Sequence, residues 1–325
     1  MEFQVKVLFI SFILTVFISF VIIPILRKLK IGQIERDDGP ESHLKKQGTP
    51  TMGGIIIIIV MIAVCGFLFF YYMGKEPEIA RNILPLLFVT IGFGLVGFVD
   101  DFKKLVLKNT KGLKPIAKMI GLLIISVAYT VFLTNVLEIG TDIYIPFIKE
   151  SINLPIWIYI PLSIIVMLSA TNAINLTDGV DGLSSSVTTI ILTCLTVIAI
   201  IFNVKEVTLF GSALSGACLG FLLFNLYPSK VMMGDTGSLL LGGAVAAMAI
   251  YLKMPFILLI IALIPILETL SVMLQVAYFK KTGNRILKMA PLHHHFELSG
   301  WKENKIVSVF SIVTLIVCII GVLSV

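Results

Sequence analysis

Long apolar runs, each close to the length of one bilayer crossing, alternate with short polar loops along almost the whole chain. A spanning helix needs about 20 mostly apolar residues. Ten stretches qualify: 4–26, 51–73, 83–102, 115–135, 155–171, 184–203, 207–227, 237–252, 255–278 and 305–325. The eighth is short and rich in Gly and Ala, which predicts close helix packing rather than lipid exposure. The ninth carries Pro265 and Glu268 and is expected to kink or break. Residues 136–155 alternate apolar and polar positions around Ile143-Tyr144-Ile145, which predicts a small β-hairpin. The expected fold class is an all-α polytopic membrane protein, a single domain over 1–325 with no internal repeat.

Composition agrees. The 325 residues are 58% hydrophobic and only 14% charged, with a mean hydropathy of +1.04, where a soluble domain carries about 25% charged residues. The first apolar run is longer than a signal h-region of roughly 7–15 residues, and Arg27, Lys28 and Lys30 follow it rather than a cleavage site. It therefore reads as a retained first span.

The net charge of +6 raises nucleic acid as a partner, but the distribution of basic residues removes that reading. Nineteen of the 25 Lys and Arg residues fall in the loops after spans 1, 3, 7 and 9, and six fall elsewhere. By the positive-inside rule the rich loops face the cytoplasm and both termini face out. Cys65, Cys194, Cys218 and Cys318 lie inside apolar runs without metal spacing and read as small core residues.

The polar residues with chemical potential collect in the inner loops. Span 3 ends in Gly97-Phe98-Val99-Asp100-Asp101-Phe102-Lys103-Lys104. Adjacent carboxylates at the rim of a membrane helix are costly unless paired or solvated. On a continuing helix Lys104 lies one turn from both. The cluster serves either as an interfacial anchor or as a site for a metal–phosphate complex. The loop after span 5, 171–182, holds Asn172, Asn175, Asp178, Gly179 and Asp181 but no Lys or Arg. That is more oxygen acceptor than a turn needs. After span 7, Gly234-Asp235-Thr236-Gly237-Ser238 leads into a helix start where small residues let phosphate approach the backbone. Asp235 is alternatively a simple N-cap. The last inner loop holds Pro291-Leu292-His293-His294-His295-Phe296-Glu297. Consecutive histidines diverge, so one zinc site is disfavoured and phosphate binding fits better. The first inner loop carries Lys45-Lys46-Gln47-Gly48-Thr49-Pro50-Thr51-Met52-Gly53-Gly54, whose lysines suit either headgroups or a substrate.

The order and spacing of these motifs resemble the polyprenyl-phosphate phospho-sugar transferases, most closely their MraY branch, the phospho-N-acetylmuramoyl-pentapeptide transferases. The likeness runs from Gly48-Thr49-Pro50-Thr51-Met52-Gly53-Gly54 to His293-His294-His295-Phe296-Glu297. It implies ten spans, a homodimer and a cleft on the cytoplasmic face of the bacterial plasma membrane. It implies transfer of phospho-N-acetylmuramoyl-pentapeptide from its UDP-linked donor to undecaprenyl phosphate, with UMP released and Mg²⁺ required. The resemblance places Asp100, Asp101 and Asp235 at an acidic centre with Asp235 as the metal ligand. It puts Lys104 and Lys118 on phosphates, and Asn172, Asn175, Asp178, Gly179, Asp181 and Asn225 on the nucleotide side. His293, His294 and His295 fall on the diphosphate or sugar, with Lys46 and Thr51 as further substrate contacts. Met232 stands where such proteins often have an aromatic residue able to stack on uracil, and Val180 where leucine is common.

Two routes fit these residues: direct attack by the lipid phosphate, or attack by an aspartate to form a covalent phospho-sugar intermediate. Direct attack is the expectation, because a phosphate with a second pKa of about 6 is largely ionised near neutral pH. Two rivals remain at this level. A sibling N-acetylglucosamine-1-phosphate transferase lacks a reason for the histidine run. A transporter or flippase requires ionisable groups at mid-bilayer, and Glu268 is the one such residue here. Spans 5 and 9 are the expected walls of a cleft open to lipid.

Overall fold

The computed structural model describes residues 2–29, 48–105 and 112–325. Two helices open it, α1 (Glu2–Lys28) and α2 (Gly54–Met73), followed by α3 (Pro77–Leu105) and α4 (Pro115–Asn135). A hairpin of β1 (Asp142–Ile145) and β2 (Glu150–Asn153) precedes α5 (Ile156–Thr177), α6 (Leu183–Ile201), α7 (Lys205–Asn225) and α8 (Gly234–Tyr251). After a 3-10 turn at Pro255–Ile257 come α9 (Leu258–Ile261), α10 (Leu263–Thr282), the short α11 (Leu292–Glu297) and α12 (Glu303–Leu323). Among the described residues, nine helices are long and apolar enough to cross a membrane. The architecture is the expected all-α polytopic one.

The eighth predicted span is α8, and all sixteen of its residues from Thr236 to Tyr251 are buried. Its glycines explain how it sits at the centre. A Cβ on Gly242 would lie 2.5 Å from Thr171 Cα on α5, and one on Gly243 would lie 2.7 Å from the Phe93 ring on α3. In lipid, helices associate through such close packing because apolar burial alone gives no advantage over the acyl chains. The α1–α7 pair uses the same device. A stripe of Ser11, Thr15 and Ser19 faces inward, Ser11 Oγ donates to Ala213 O at 2.6 Å, and Gly216 packs on Leu8 O.

The ninth span breaks as expected, and Pro265 gives the reason. A helix running through this segment would need Pro265 to donate to Ile261 O, which it cannot do, and its ring clashes with that carbonyl. The chain leaves helical geometry at Ala262 (φ −99°, ψ 27°) and restarts with Pro265 in the first turn of α10.

The hairpin pairs antiparallel, Ile143 opposite Ile152. Tyr144 N donates to Lys253 O at 2.8 Å and Phe147 N to Ser324 O at 2.8 Å. The Tyr144 ring meets Phe202 at the end of α6, and Phe3 stacks on Tyr71 at the end of α2. Both chain ends thus lie at the hairpin end of the bundle. The Asp, Asn and His loops lie at the other.

Candidate active site

The centre of that other end is Asp235, at the start of α8. Its Oδ2 accepts from Lys118 Nζ at 2.9 Å and Lys104 Nζ at 3.1 Å, and its Oδ1 accepts from Asn175 Nδ2 at 2.9 Å. Four elements therefore converge on one carboxylate: α3, α4, α5 and α8. The approach requires Gly97, whose Cβ would lie 2.1 Å from Asp235 O.

The paired aspartates of α3 have different surroundings. Asp100 meets Lys104 Nζ at 2.5 Å, and its Oδ1 accepts from Leu113 N at 2.6 Å. Asp101 turns the other way. Its Oδ2 accepts from Thr236 N at 2.9 Å and Thr236 Oγ1 at 2.6 Å, and its Oδ1 from Asp235 N at 3.3 Å. It caps the start of α8 from a neighbouring helix and satisfies donors that α8 itself leaves open. Asp101 thus takes two of the N–H groups at the terminus that Gly234-Asp235-Thr236-Gly237-Ser238 offers, and Asp235, inside the first turn, is not its N-cap. The small residues there serve packing: a Cβ on Gly54 would lie 2.2 Å from Gly237 N.

Two loops are zipped together beside this centre. Met232 N donates to Pro50 O at 2.7 Å, Gly53 N to Met232 O at 2.9 Å and Gly54 N to Met233 O at 3.1 Å. The pairing brings Thr51 and Met232, both largely buried, to the edge of the acidic cluster. A Cβ on Gly234 would lie 2.9 Å from Thr51 Oγ1. Lys46 lies outside the described residues.

The 171–182 segment divides its labour. Asn175 also donates to Ser238 Oγ at 2.8 Å, whereas Asn172 donates to Leu168 O at 2.7 Å on its own helix. Asp181 Oδ2 accepts from Ser229 N at 3.0 Å, and Asn225 is held between Ser185 Oγ at 2.6 Å and Val231 O at 3.0 Å. Both pin the loop after α7. Asp178, which ends α5, has an accessible edge, but its carboxyl sits among protein atoms. That desolvation, reinforced by the carboxylates of Asp235, Asp101 and Asp181, pushes its pKa up to about 8.

The three histidines part company, as neighbours on a short helix must. His295 Nδ1 accepts from Lys288 N at 3.2 Å, and His294 Nδ1 lies 3.3 Å from Glu297. Of the three, His293 reaches Gly179, where a Cβ would lie 2.1 Å from its Nε2. Glu268 lies 3.0 Å from His293 Nδ1. No sequence motif announces this pairing. Its only signal was a carboxylate stranded in an apolar span, which demands a partner from elsewhere in the fold.

Below the site, an apolar cavity of about 320 Å³ runs between α5 and the α9–α10 segment, lined by residues including Ile165, Ala173, Phe256, Pro265 and Leu270. These are the two walls expected of a cleft open to lipid.

Two family descriptions match this chain: Glycosyl transferase family 4 over residues 83–253, and the phospho-N-acetylmuramoyl-pentapeptide-transferase signature 1 over 46–58. The phospho-N-acetylmuramoyl-pentapeptide-transferase of Acetivibrio thermocellus is 49% identical over 321 residues, covering 98% of this chain and 94% of the relative. The chain belongs to the phospho-N-acetylmuramoyl-pentapeptide-transferase family. The Clostridium perfringens member is 50% identical over 317 residues (98% of this chain, 95% of the relative), and the Clostridium novyi member 44% over 324 (100% and 97%). The signature match covers the loop zipped to Met232, and the Glycosyl transferase family 4 match covers Asp100 to Asp235. The matched stretches thus include residues that meet around the acidic centre.

Proposed function

We propose that this chain transfers phospho-N-acetylmuramoyl-pentapeptide from its UDP-linked donor to undecaprenyl phosphate, releasing UMP and forming the first lipid intermediate of peptidoglycan synthesis. The observation that carries the reading is Asp235 holding Lys104 and Lys118 beside an apolar groove, in a chain 49% identical to a named transferase over nearly its full length. A soluble anionic donor and a bilayer-held anionic acceptor need such a border. The groove keeps the polyprenyl chain in hydrocarbon while its phosphate reaches the two ammonium groups. The enzyme works as a multi-pass protein of the bacterial inner (plasma) membrane, with the acidic end in the cytoplasm, a sidedness supported by the bias of Lys and Arg to that end. The expected homodimer belongs to the same reading.

Magnesium fits the residues present. Asp100, Asp101, Asp178 and Asp235 face two lysines, so carboxyl groups outnumber ammonium groups, and the side chains able to ligate a cation there offer oxygen. Among the described residues no group of three or more His, Cys, Asp or Glu holds a metal alone, which suits an ion that takes one or two carboxylates and completes its shell with substrate phosphates. Asp235 would hold it, with Asp100 as the carboxyl in contact with it. Bound there, it would neutralise the pyrophosphate and stabilise departing UMP.

Lys104 and Lys118 exchange their hold on Asp235 for phosphate oxygens as the substrates arrive, and so stabilise the charge of the transfer. Direct attack by the lipid phosphate is the favoured route. Its support is that Asp101 is engaged by three donors and Asp100 by a lysine and a backbone N–H, so neither is a free nucleophile. A phospho-sugar trapped on Asp100 or Asp101 without lipid acceptor would overturn this route.

The test uses purified protein in detergent with Mg²⁺ and undecaprenyl phosphate, and follows UMP release from UDP-N-acetylmuramoyl-pentapeptide or UDP-N-acetylglucosamine. Release from the muramoyl donor alone supports the reading. Release from the N-acetylglucosamine donor alone moves the chain to a sibling reaction. Release from neither, in folded protein, rejects transferase activity.

A further inference from the structure

Glu268 is a fully buried carboxylate on α10, within an apolar stretch. Such a group persists only when its oxygens are satisfied. Both are, and by one residue. Oε1 accepts from His293 N at 3.2 Å, and Oε2 lies 3.0 Å from His293 Nδ1. An ionised carboxylate only accepts, so beside one the ring proton belongs on Nδ1, and a neutral imidazole in that tautomer carries its lone pair on Nε2. His293 is itself 1% exposed, and Nε2 has no hydrogen-bond partner among the described residues. Buried polar atoms without partners are rare, and one held in place by two hydrogen bonds calls for an explanation. This nitrogen is packed against Gly179, beside Asp178, whose carboxyl is within reach of the charges of Asp235 and Asp101.

We infer that Glu268 is a positioning residue: it fixes the proton on His293 Nδ1 and thereby presents Nε2 as an acceptor for an O–H or N–H of the sugar-nucleotide donor beside the Asp178–Gly179 turn. The identity of that donor rests on the proposed function; the geometry does not. An alternative role, capping the first turn of α11 through Oε1, is already present in the same pair of contacts and makes a different prediction.

Glu268→Gln separates them. Glutamine has one acceptor atom. The His293 backbone N–H cannot change its sign, so the amide oxygen stays with it and the amide nitrogen donates to Nδ1. The cap survives, but the ring proton moves to Nε2, which then repels a donor group. The chain has only four histidines, so ¹⁵N NMR of histidine-labelled protein reads the tautomer directly. The expected result is an Nδ1 proton in the unmodified chain and an Nε2 proton in Glu268→Gln. Binding of UDP-N-acetylmuramoyl-pentapeptide, measured by calorimetry, is expected to weaken about tenfold to a hundredfold. In a His293→Ala background the same change has no further effect. The inference is overturned if the unmodified chain carries the proton on Nε2, or if the donor binds both chains equally. It is also overturned if Glu268→Gln weakens binding as much without His293 as with it. A chain that releases UMP from neither donor rejects the proposed function, whereas the tautomer measurement needs no turnover and judges the geometry alone.

Discussion

The two ends of this helix bundle treat charge in opposite ways. At the hairpin end, ion pairs close one to one: Lys253 with Asp142 at 2.6 Å and Lys205 with Glu76 at 2.7 Å. At the other end Asp235 alone takes two lysines and an asparagine, while Asp178 has carboxylates for neighbours. The first arrangement needs nothing further. The second is in electrostatic tension that a cation or a rearrangement onto phosphate would relieve, and it is held there by backbone contacts too close for any residue but glycine. Charged residues at a membrane interface are thus not evidence of a site. Unequal numbers of them, locked by packing, are.

The contrast is broken most severely by Asp235→Asn, which removes the charge that gathers Lys104 and Lys118. UMP release is expected to fall by about a thousandfold, with the unfolding temperature in detergent close to that of the unmodified chain. Gly97→Ala attacks the same centre through packing. Its Cβ would sit 2.1 Å from Asp235 O, so α3 and α8 must part. A loss of about 1–3 kcal/mol is expected, read as a lower unfolding temperature together with reduced UMP release.

Asp178→Asn sharpens the comparison by pH. With its pKa pushed from 3.8 to about 8 in the folded chain, Asp178 keeps a proton that the unfolded chain has released. The folded state is therefore penalised progressively as pH rises from about 4 to about 8, and the penalty is constant above that. In Mg²⁺-free detergent the Asn variant should unfold at the same temperature as the unmodified chain near pH 4 and at a higher one by pH 8. A gain that shrinks with pH would contradict the electrostatic account. The smallest effect belongs to the hairpin end. Asp142→Asn breaks a half-exposed pair that is worth at most about 1 kcal/mol, and UMP release should not change.

Much of this was legible in the chain itself. The span lengths, the broken ninth span and the hairpin follow from local rules: apolar run length, a proline that cannot donate, and two-residue alternation. The motifs pointed to the family through their order and spacing: paired Asp after span 3, an Asn- and Asp-rich loop after span 5, Gly-Asp-Thr-Gly-Ser after span 7 and three His in the last loop. The roles within those loops were not legible. Asp100 and Asp101 are neighbours of identical chemistry, yet one faces Lys104 and the other caps α8 from outside. His293, His294 and His295 likewise read as a block but take three unrelated partners.

Glu268 shows the boundary between the two kinds of information. From the sequence, a carboxylate inside a membrane span requires a partner, because an unpaired charge there is too costly to keep. Which partner is a question of how α11 folds back on α10, and only the tertiary structure answers it. Local composition determined the spans and the clustering of polar residues in a few loops, since each depends on short stretches of chain and on the physics of the bilayer, and the order and spacing of those loops pointed to the family. The tertiary structure decided which carboxylates are catalytic candidates and which are braces. That choice depends on contacts between residues more than a hundred positions apart, such as Asp101 with Thr236 and Lys118 with Asp235, and no periodicity or spacing encodes them.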